Sequence, residues 1–199
     1  MRAGARANLP CFLLKSLSET LTITKKLKRD YKNMTTPWNV RFRRKLIEPQ
    51  DLKAKVSAIR QAGKTIATLN GSFDLMHAGH LHIIQEASQM GDVLIVALNS
   101  DSSIQRYKSK QRPIVPLMYR LQMMAALEFV SYVTWFDETD PRRILSEIEP
   151  NVHVNGAEYG HDCIEASTVK EHGGTIHIVN LVPGLSTTEI IKKIKSLDS

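Results

Sequence analysis

Between residues 50 and 197 the apolar positions alternate between helical spacing and short unbroken runs. Leu52, Val56 and Ile59 share one face of a helix predicted over Asp51–Gln61, and Gly63 stops it. Thr65–Leu69 reads as a short β-branched strand, and Ala78–Met90 as a helix ending at Gly91 in the usual C′ place. Val93–Leu98 is apolar throughout, as befits a strand of a parallel sheet covered on both faces. Leu117–Glu128 follows Pro116 as a helix with Leu121, Met123, Met124 and Leu127 supplying core; methionines at that spacing pack rather than hold a cofactor. Tyr132–Phe136, Val152–Asn155 and Thr175–Val179 are the remaining strands. Helices are expected over Pro141–Ile148, near Ile164–Glu171 and over Thr187–Leu197. Five strands alternating with helices predict α/β architecture: a single doubly wound, Rossmann-like domain with a five-stranded parallel sheet.

The first 33 residues show no convincing period. They also change the meaning of the charge. The chain of 199 residues carries a net +7, which taken alone suggests a polyanion partner. Residues 1–50 hold 12 basic and 3 acidic side chains, so the remainder is slightly acidic. Lys25, Lys26, Lys28, Arg29 and Lys32 cluster in this leader. We therefore expect residues 1–45 to be a basic extension and residues 46–199 the folded domain, with no nucleic-acid partner. Arg2, Arg6 and the apolar stretch Leu9–Leu14 have the order of a secretory signal, but Pro10 and Lys15 cut the stretch to about half the usual length. No apolar run approaches the ~20 residues of a membrane helix. Cys11 and Cys163 cannot build a disulfide framework or a zinc site by themselves.

In such a sheet, ligands sit beyond the carboxyl ends of the strands. The first of these turns runs from Asn70 through Gly71, Ser72, Phe73 and Asp74 to His80, without the G-x-G-x-x-G of a dinucleotide site. Gly63-Lys64-Thr65 looks like the end of a P-loop, but it precedes its strand, and position 58 is Ala58. His77 and His80 lie three apart at a helix start, on one face. Gly79 between them lets an anion approach the backbone, and the helix N-terminus favours it. Such histidines can donate to a phosphate oxygen while uncharged. His82 falls off their shared face, so zinc is not expected. The last helix opens with Ser186, Thr187, Thr188 and Glu189, which reads as a capping box and also suits the outer phosphates of a nucleoside triphosphate. Between the two lies Arg106–Pro116, a mobile basic loop suited to neutralising phosphate.

Taken together, these residues resemble the cytidylyltransferase-like nucleotidyltransferase superfamily, marked by H-x-G-H after the first strand and an S-T-T-type motif before the last helix. Within it the chain is similar to the D-glycero-β-D-manno-heptose 1-phosphate adenylyltransferases. The resemblance spans roughly residues 45–197 and is carried by Asn70–His80, Ala97–Asp101, Arg112-Pro-x-x-Pro116 with Arg120, Asp140–Ile144 and Ser186–Ile194. It implies attack of a sugar 1-phosphate on the α-phosphorus of ATP, with Mg2+ on the leaving phosphates and pyrophosphate released. It implies catalytic roles for His77, His80 and Lys108. Nucleotide contacts would come from Gly71, Ser72, Phe73, Gly79, Asn155, Gly156, Ser186, Thr187 and Thr188. Acceptor contacts would come from Asp74, Arg112, Arg120 and Glu158.

One motif departs from the resemblance. The heptose enzymes usually show Lys-Gly-Gly-Asp-Tyr after the fourth strand, where this chain has Asn155-Gly-Ala-Glu158-Tyr159. A CTP-dependent glycerol-phosphate or ethanolamine-phosphate cytidylyltransferase is thus the alternative. The resemblance further implies a bacterial cytoplasmic homodimer with small-molecule substrates and no membrane partner, supplying the lipopolysaccharide inner core. Some relatives fuse a sugar kinase to this activity, and 199 residues leave no room for one. Deleting residues 1–33 is expected to leave both the melting temperature and turnover unchanged; a large loss of either would give the leader a role.

Overall fold

The computed structural model describes residues 37–160, 162–180 and 182–197. The basic stretch expected to be dispensable, residues 1–33, lies outside them. The chain divides into two units, Met1–Arg41 and Phe42–Ser199. In the first, Trp38–Arg41 forms a single helical turn. The second begins at Phe42, ahead of the expected start at residue 46, because the Phe42 ring is buried in its core.

Five parallel strands make one sheet: β1 (Ile66–Gly71), β2 (Val93–Asn99), β3 (Tyr132–Phe136), β4 (Val152–Gly156) and β5 (Thr175–Val179), in spatial order β3-β2-β1-β4-β5. The helices are α1 (Leu52–Gln61), α2 (Ala78–Ser88), α3 (Asp101–Tyr107), α4 (Leu117–Ala126), α5 (Arg142–Ile148), α6 (Ala166–Glu171) and α7 (Thr187–Lys195). The expected doubly wound architecture is the one observed.

The strand β2 shows why both faces must be covered. Val93, Ile95 and Ala97 enter one core with Leu52, Val56 and Ile59 of α1 and Ile144 and Ile148 of α5. Leu94, Val96 and Leu98 enter the other with Ile84 of α2 and Leu121 and Met124 of α4. All seven residues of β2 are buried. Each large aliphatic side chain so buried contributes roughly 1.5–3 kcal/mol, which makes this strand the anchor of both layers.

Three expectations change. α3 occupies Asp101–Tyr107, where no helix was expected; Ser100 caps it, its Oγ accepting from the Ser103 N–H at 3.2 Å. Met123 is on the exposed side of α4, which ends at Ala126, so only Met124 of the pair is core. Gly91 is not the C′ residue of α2, which ends at Ser88 with Gln89 as its cap. A Cβ on Gly91 would lie 2.9 Å from the backbone N of Ala67 in β1, so glycine is needed there for close packing of chain on strand.

One buried titratable group belongs to the sheet itself. His153 on β4 is fully buried, its Nδ1 2.8 Å from Thr68 Oγ1 on β1. Burial lowers its pKa from 6.5 to about 4. The unfolded chain therefore holds this proton over a pH range in which the folded chain does not, and stability is lost as pH falls from about 6.5 towards 4. In urea titrations at a series of pH values, His153→Gln should show a flatter decline than the parent, by up to ~1.4 kcal/mol per pH unit. Parallel curves would remove His153 from the linkage.

Candidate active site

β1 and β4 lie side by side where the strand order reverses, so their carboxyl ends open into one crevice. A cavity of about 240 Å³ lies there. Asn70, Gly71, Ser72 and Phe73 line it from the end of β1, His77, Gly79 and His80 from the start of α2, and Asn155, Gly156, Glu158 and Tyr159 from the end of β4. Ser186 and Thr187 close it from α7, and Lys108 from the end of α3. A second cavity of about 470 Å³ shares Asn70, Ser72, Lys108, Asn155, Glu158 and Tyr159 and continues to Tyr107, Asp140, Cys163 and Glu165.

The histidine pair is held in one defined state. The backbone N–H of His77 donates to His80 Nδ1 at 3.3 Å. A backbone N–H can only donate, so Nδ1 of His80 carries a lone pair and Nε2 carries the proton. Burial first, then His77 and Lys108 nearby, lower the His80 pKa from 6.5 to about 4. At neutral pH His80 is thus an uncharged N–H donor. The His77 ring lies 3.9 Å from it, tilted by 34°, and desolvation lowers its pKa as well. His77 folds back over Gly79, where a Cβ would stand 3.0 Å from the ring; glycine here makes room for His77. Phe73 meets His80 edge-on, centroids 5.4 Å apart. Its φ of 44° places a bulky residue in the left-handed region, a strained conformation held by its buried ring.

The basic segment after α3 is tethered where mobility was expected. Asp74, 2% exposed, accepts from the Ile114 N–H at 2.9 Å, the Val115 N–H at 2.8 Å and Arg112 Nε at 2.6 Å. Burial pushes the Asp74 carboxyl up, but the two amides and the guanidinium outweigh it and hold it below the usual carboxylate value. Arg120 is fully buried and bonded on three sides, to Ser72 O at 2.6 Å, Val115 O at 2.9 Å and Asp101 Oδ1 at 2.7 Å. Asp74 and Arg120 were expected at the acceptor. Their hydrogen bonds are made to protein and neither lines either cavity, so both brace the cavity wall from behind, and Arg112 is tied to Asp74. Arg106 bonds the Asp137 carbonyl. Of the segment's cations, Lys108 lines the cavities, its Nζ 3.0 Å from Ser72 Oγ. Burial and the nearby Arg112 lower its pKa, against the pull of Asp74.

At the opposite wall Ser186 caps α7, its Oγ accepting from the Glu189 N–H at 3.1 Å, while Glu189 pairs with Lys192 rather than closing a capping box. Thr187 Oγ1 donates to Leu75 O at 3.3 Å, joining the start of α7 to the loop that leads into α2. Thr188 is exposed and outside the lining of either cavity.

A family model, cytidylyltransferase-like, matches residues 68–193, which include β1 from Thr68 onward, both helix starts and every cavity-lining group named above. The chain belongs to the cytidylyltransferase-like family. The bifunctional protein HldE of Yersinia pestis (strain Pestoides F) is 40% identical over 152 residues, 76% of this chain and 32% of the relative. HldE of Yersinia pseudotuberculosis serotype O:3 (strain YPIII) matches to the same extent. The chain thus spans about a third of the length of the curated relatives it matches. A lipopolysaccharide core biosynthesis protein from Thermoplasma volcanium GSS1 is similar in structure, with 28% identity, a TM-score of 0.50, and coverage of 60% of this chain and 98% of that one. The pantoate-beta-alanine ligase of Francisella tularensis shares the fold, with 15% identity, a TM-score of 0.50, and coverage of 77% and 78%.

For this cytidylyltransferase-like chain the structure adds residues that motif reading passed over. Asn70 and Leu185 line the first cavity, and Tyr107, Cys163 and Glu165 the second. Asn70, Leu185 and Tyr107 adjoin residues that the sequence singled out, whereas Cys163 and Glu165 are brought in by packing of the approach to α6. The brace predicts a specific lesion. Asp74→Ala should leave the Ile114 and Val115 amides unpaired and cost about 1–3 kcal/mol of stability in denaturant unfolding. A stability equal to that of the parent would show that the carboxylate does not organise the segment.

Proposed function

We propose that the chain transfers an adenylyl group from ATP to D-glycero-β-D-manno-heptose 1-phosphate, giving ADP-heptose and pyrophosphate. The observation that carries this reading is the meeting of two helix N-termini, α2 and α7, at one cavity, with the neutral Nε2–H donor of His80 and the ammonium of Lys108 in its wall. Helix starts present unpaired N–H groups and the positive end of a dipole, which suits a triphosphate gripped along its length.

The α-phosphate lies against α2 in this reading, and the outer phosphates against Ser186 and Thr187. An oxygen of the acceptor phosphate attacks the α-phosphorus, the bond to the bridging oxygen of pyrophosphate breaks, and no enzyme group becomes covalently attached. Charge grows on the equatorial oxygens during this step. His80 donates to one of them without first needing a proton, and Lys108 neutralises the bridging region. Most of the rate enhancement then comes from alignment of the two phosphates and from prearranged donors. Mg2+ carried on the triphosphate would stabilise the departing pyrophosphate. Among the described residues no three His, Cys, Asp or Glu side chains converge as a metal cage, a donor set that fits a cation held chiefly by substrate oxygens.

Likeness to a lipopolysaccharide core biosynthesis protein supports a sugar acceptor. A cytoplasmic homodimer belongs to the same reading, and among the described residues no helix is long and apolar enough to cross a membrane. Asn155 favours one competing assignment, since an uncharged amide stands where the heptose enzymes of the resemblance carry lysine; CTP with a small alcohol phosphate is that competitor. Pyrophosphate release separates the two when ATP or CTP is combined with Mg2+ and heptose 1-phosphate, glycerol 3-phosphate or phosphoethanolamine. ATP with the sugar phosphate should be the productive pair. In that assay His80→Ala should lower kcat by ~100–1,000-fold, the scale of one lost transition-state donor. A fall of less than threefold would remove His80 from the mechanism.

A further inference from the structure

The second cavity holds buried polar groups that the protein leaves unsatisfied. Glu165 is 5% exposed and Asn155 4%, yet Glu165 Oε2 and Asn155 Nδ2 have no hydrogen-bond partner. Both residues line the 470 Å³ space. Asn70, at the same wall, likewise has its Oδ1 buried without a partner. A buried carboxylate oxygen without a donor is costly, and a buried carboxamide nitrogen without an acceptor beside it adds to the cost. The Cys163 thiol beside them interacts with both side chains but is only a weak hydrogen-bonding group. Both unpartnered atoms are explained by an occupant that brings the missing partners.

The chemistry of that occupant follows from what the two groups can do. The unpartnered carboxylate oxygen of Glu165 is an acceptor, and the Asn155 NH2 only donates. A hydroxyl does both, so neighbouring hydroxyls can give a proton to Glu165 and take one from Asn155. An ammonium group would satisfy Glu165 but would set a second donor against Asn155. Among the described residues the lining has one Lys or Arg side chain, Lys108, and it sits where the two cavities adjoin. A phosphate is therefore placed at that border, with the neutral, hydroxyl-rich part of the molecule reaching inward. Tyr107 and Tyr159 supply flat apolar surface of the kind that a sugar ring's C–H face covers.

We infer that Glu165, with Asn155, reads adjacent hydroxyls of the acceptor sugar and is the residue that selects a sugar phosphate over an amino-alcohol phosphate. This rests on the sugar 1-phosphate reading above and adds to it a specificity-determining residue on α6's approach, far in sequence from both phosphate-binding helix starts. Glu165 touches no reacting atom. Its substitution should act on acceptor affinity and leave nucleotide binding alone.

Calorimetric titration of the full chain, with a non-hydrolysable ATP analogue present, tests this. Heptose 1-phosphate, two monodeoxy analogues of it and phosphoethanolamine would be titrated into the parent, Glu165→Gln and Glu165→Ala. Glu165→Ala should bind heptose 1-phosphate about 10–100-fold more weakly, the range for a buried hydrogen bond to a charged group. Affinity for the ATP analogue should stay within about twofold, which also reports that the variant is folded; if it is not, Glu165→Gln decides by the same criterion. The parent should discriminate against one deoxy analogue by a similar factor, and Glu165→Ala should bind that analogue and the full sugar alike. Unchanged sugar affinity in the variants, equal losses on every analogue, or a parent that prefers phosphoethanolamine would each overturn the inference. Glu165-dependent sugar binding without pyrophosphate release would overturn the proposed transfer instead and leave the specificity role standing. Release that is indifferent to Glu165 would do the reverse.

Discussion

Asp74 takes a carboxylate out of water at the foot of the crevice, and much of the site's geometry follows from meeting that demand. A buried carboxylate must be surrounded by donors, and the segment after α3 supplies them through the Ile114 and Val115 amides and the Arg112 guanidinium. The segment is thereby fixed against the β1 loop. Arg120 completes the brace from the other side by binding the carbonyls of Ser72 and Val115 and the carboxylate of Asp101, so that β1, α3 and α4 are joined through one buried guanidinium. Lys108 reaches Ser72 from a chain held at both ends. The charged groups of these segments thus act mostly on each other, and among the described Lys and Arg residues it is Lys108 that lines the cavity.

The histidines show the same economy of charge. Desolvation keeps His80 neutral, and the His77 backbone amide settles which nitrogen bears the proton. A neutral donor fixed in advance strengthens as negative charge grows on a phosphate oxygen, and it gives up little solvation on binding the ground state. The thin wall between His77 and the backbone at Gly79, and the strained Phe73 beneath His80, are the structural means by which the ring pair is kept at 3.9 Å. Thr187 then ties α7 to the Leu75 carbonyl, so the two helix starts move as one frame.

Much of the fold was legible because the periods were clean. Tyr132–Phe136 and Thr175–Val179 were bounded as strands directly from their β-branched and aromatic runs, and Val93–Leu98 from its unbroken apolarity. α3 escaped notice because the charge run that starts at Arg106 masks a short helix whose cap, Ser100, and first-turn acid, Asp101, are ordinary residues. The helix-start motifs could be read because His77, Gly79, His80 and Ser186 act through local backbone geometry, which spacing encodes. Asp74, Arg112 and Arg120 invited a ligand role for the opposite reason. Spacing places them near the motifs but says nothing about whether their charges are buried and already paired.

By itself the sequence determined the layered α/β class, the order of the five strands and of every helix but α3, and the two helix starts at His77 and Ser186, since each depends on residues within a few positions of one another. Tertiary structure alone decided where the sheet reverses, and so which two strand ends form the crevice. It also decided that Asp74 and Arg120 are internal and Lys108 is not, and that Glu165 and Asn155 share a wall. Burial and pairing are properties of segments that meet in space, and the pKa, the protonation state and the availability of a side chain follow from them rather than from its neighbours in the chain.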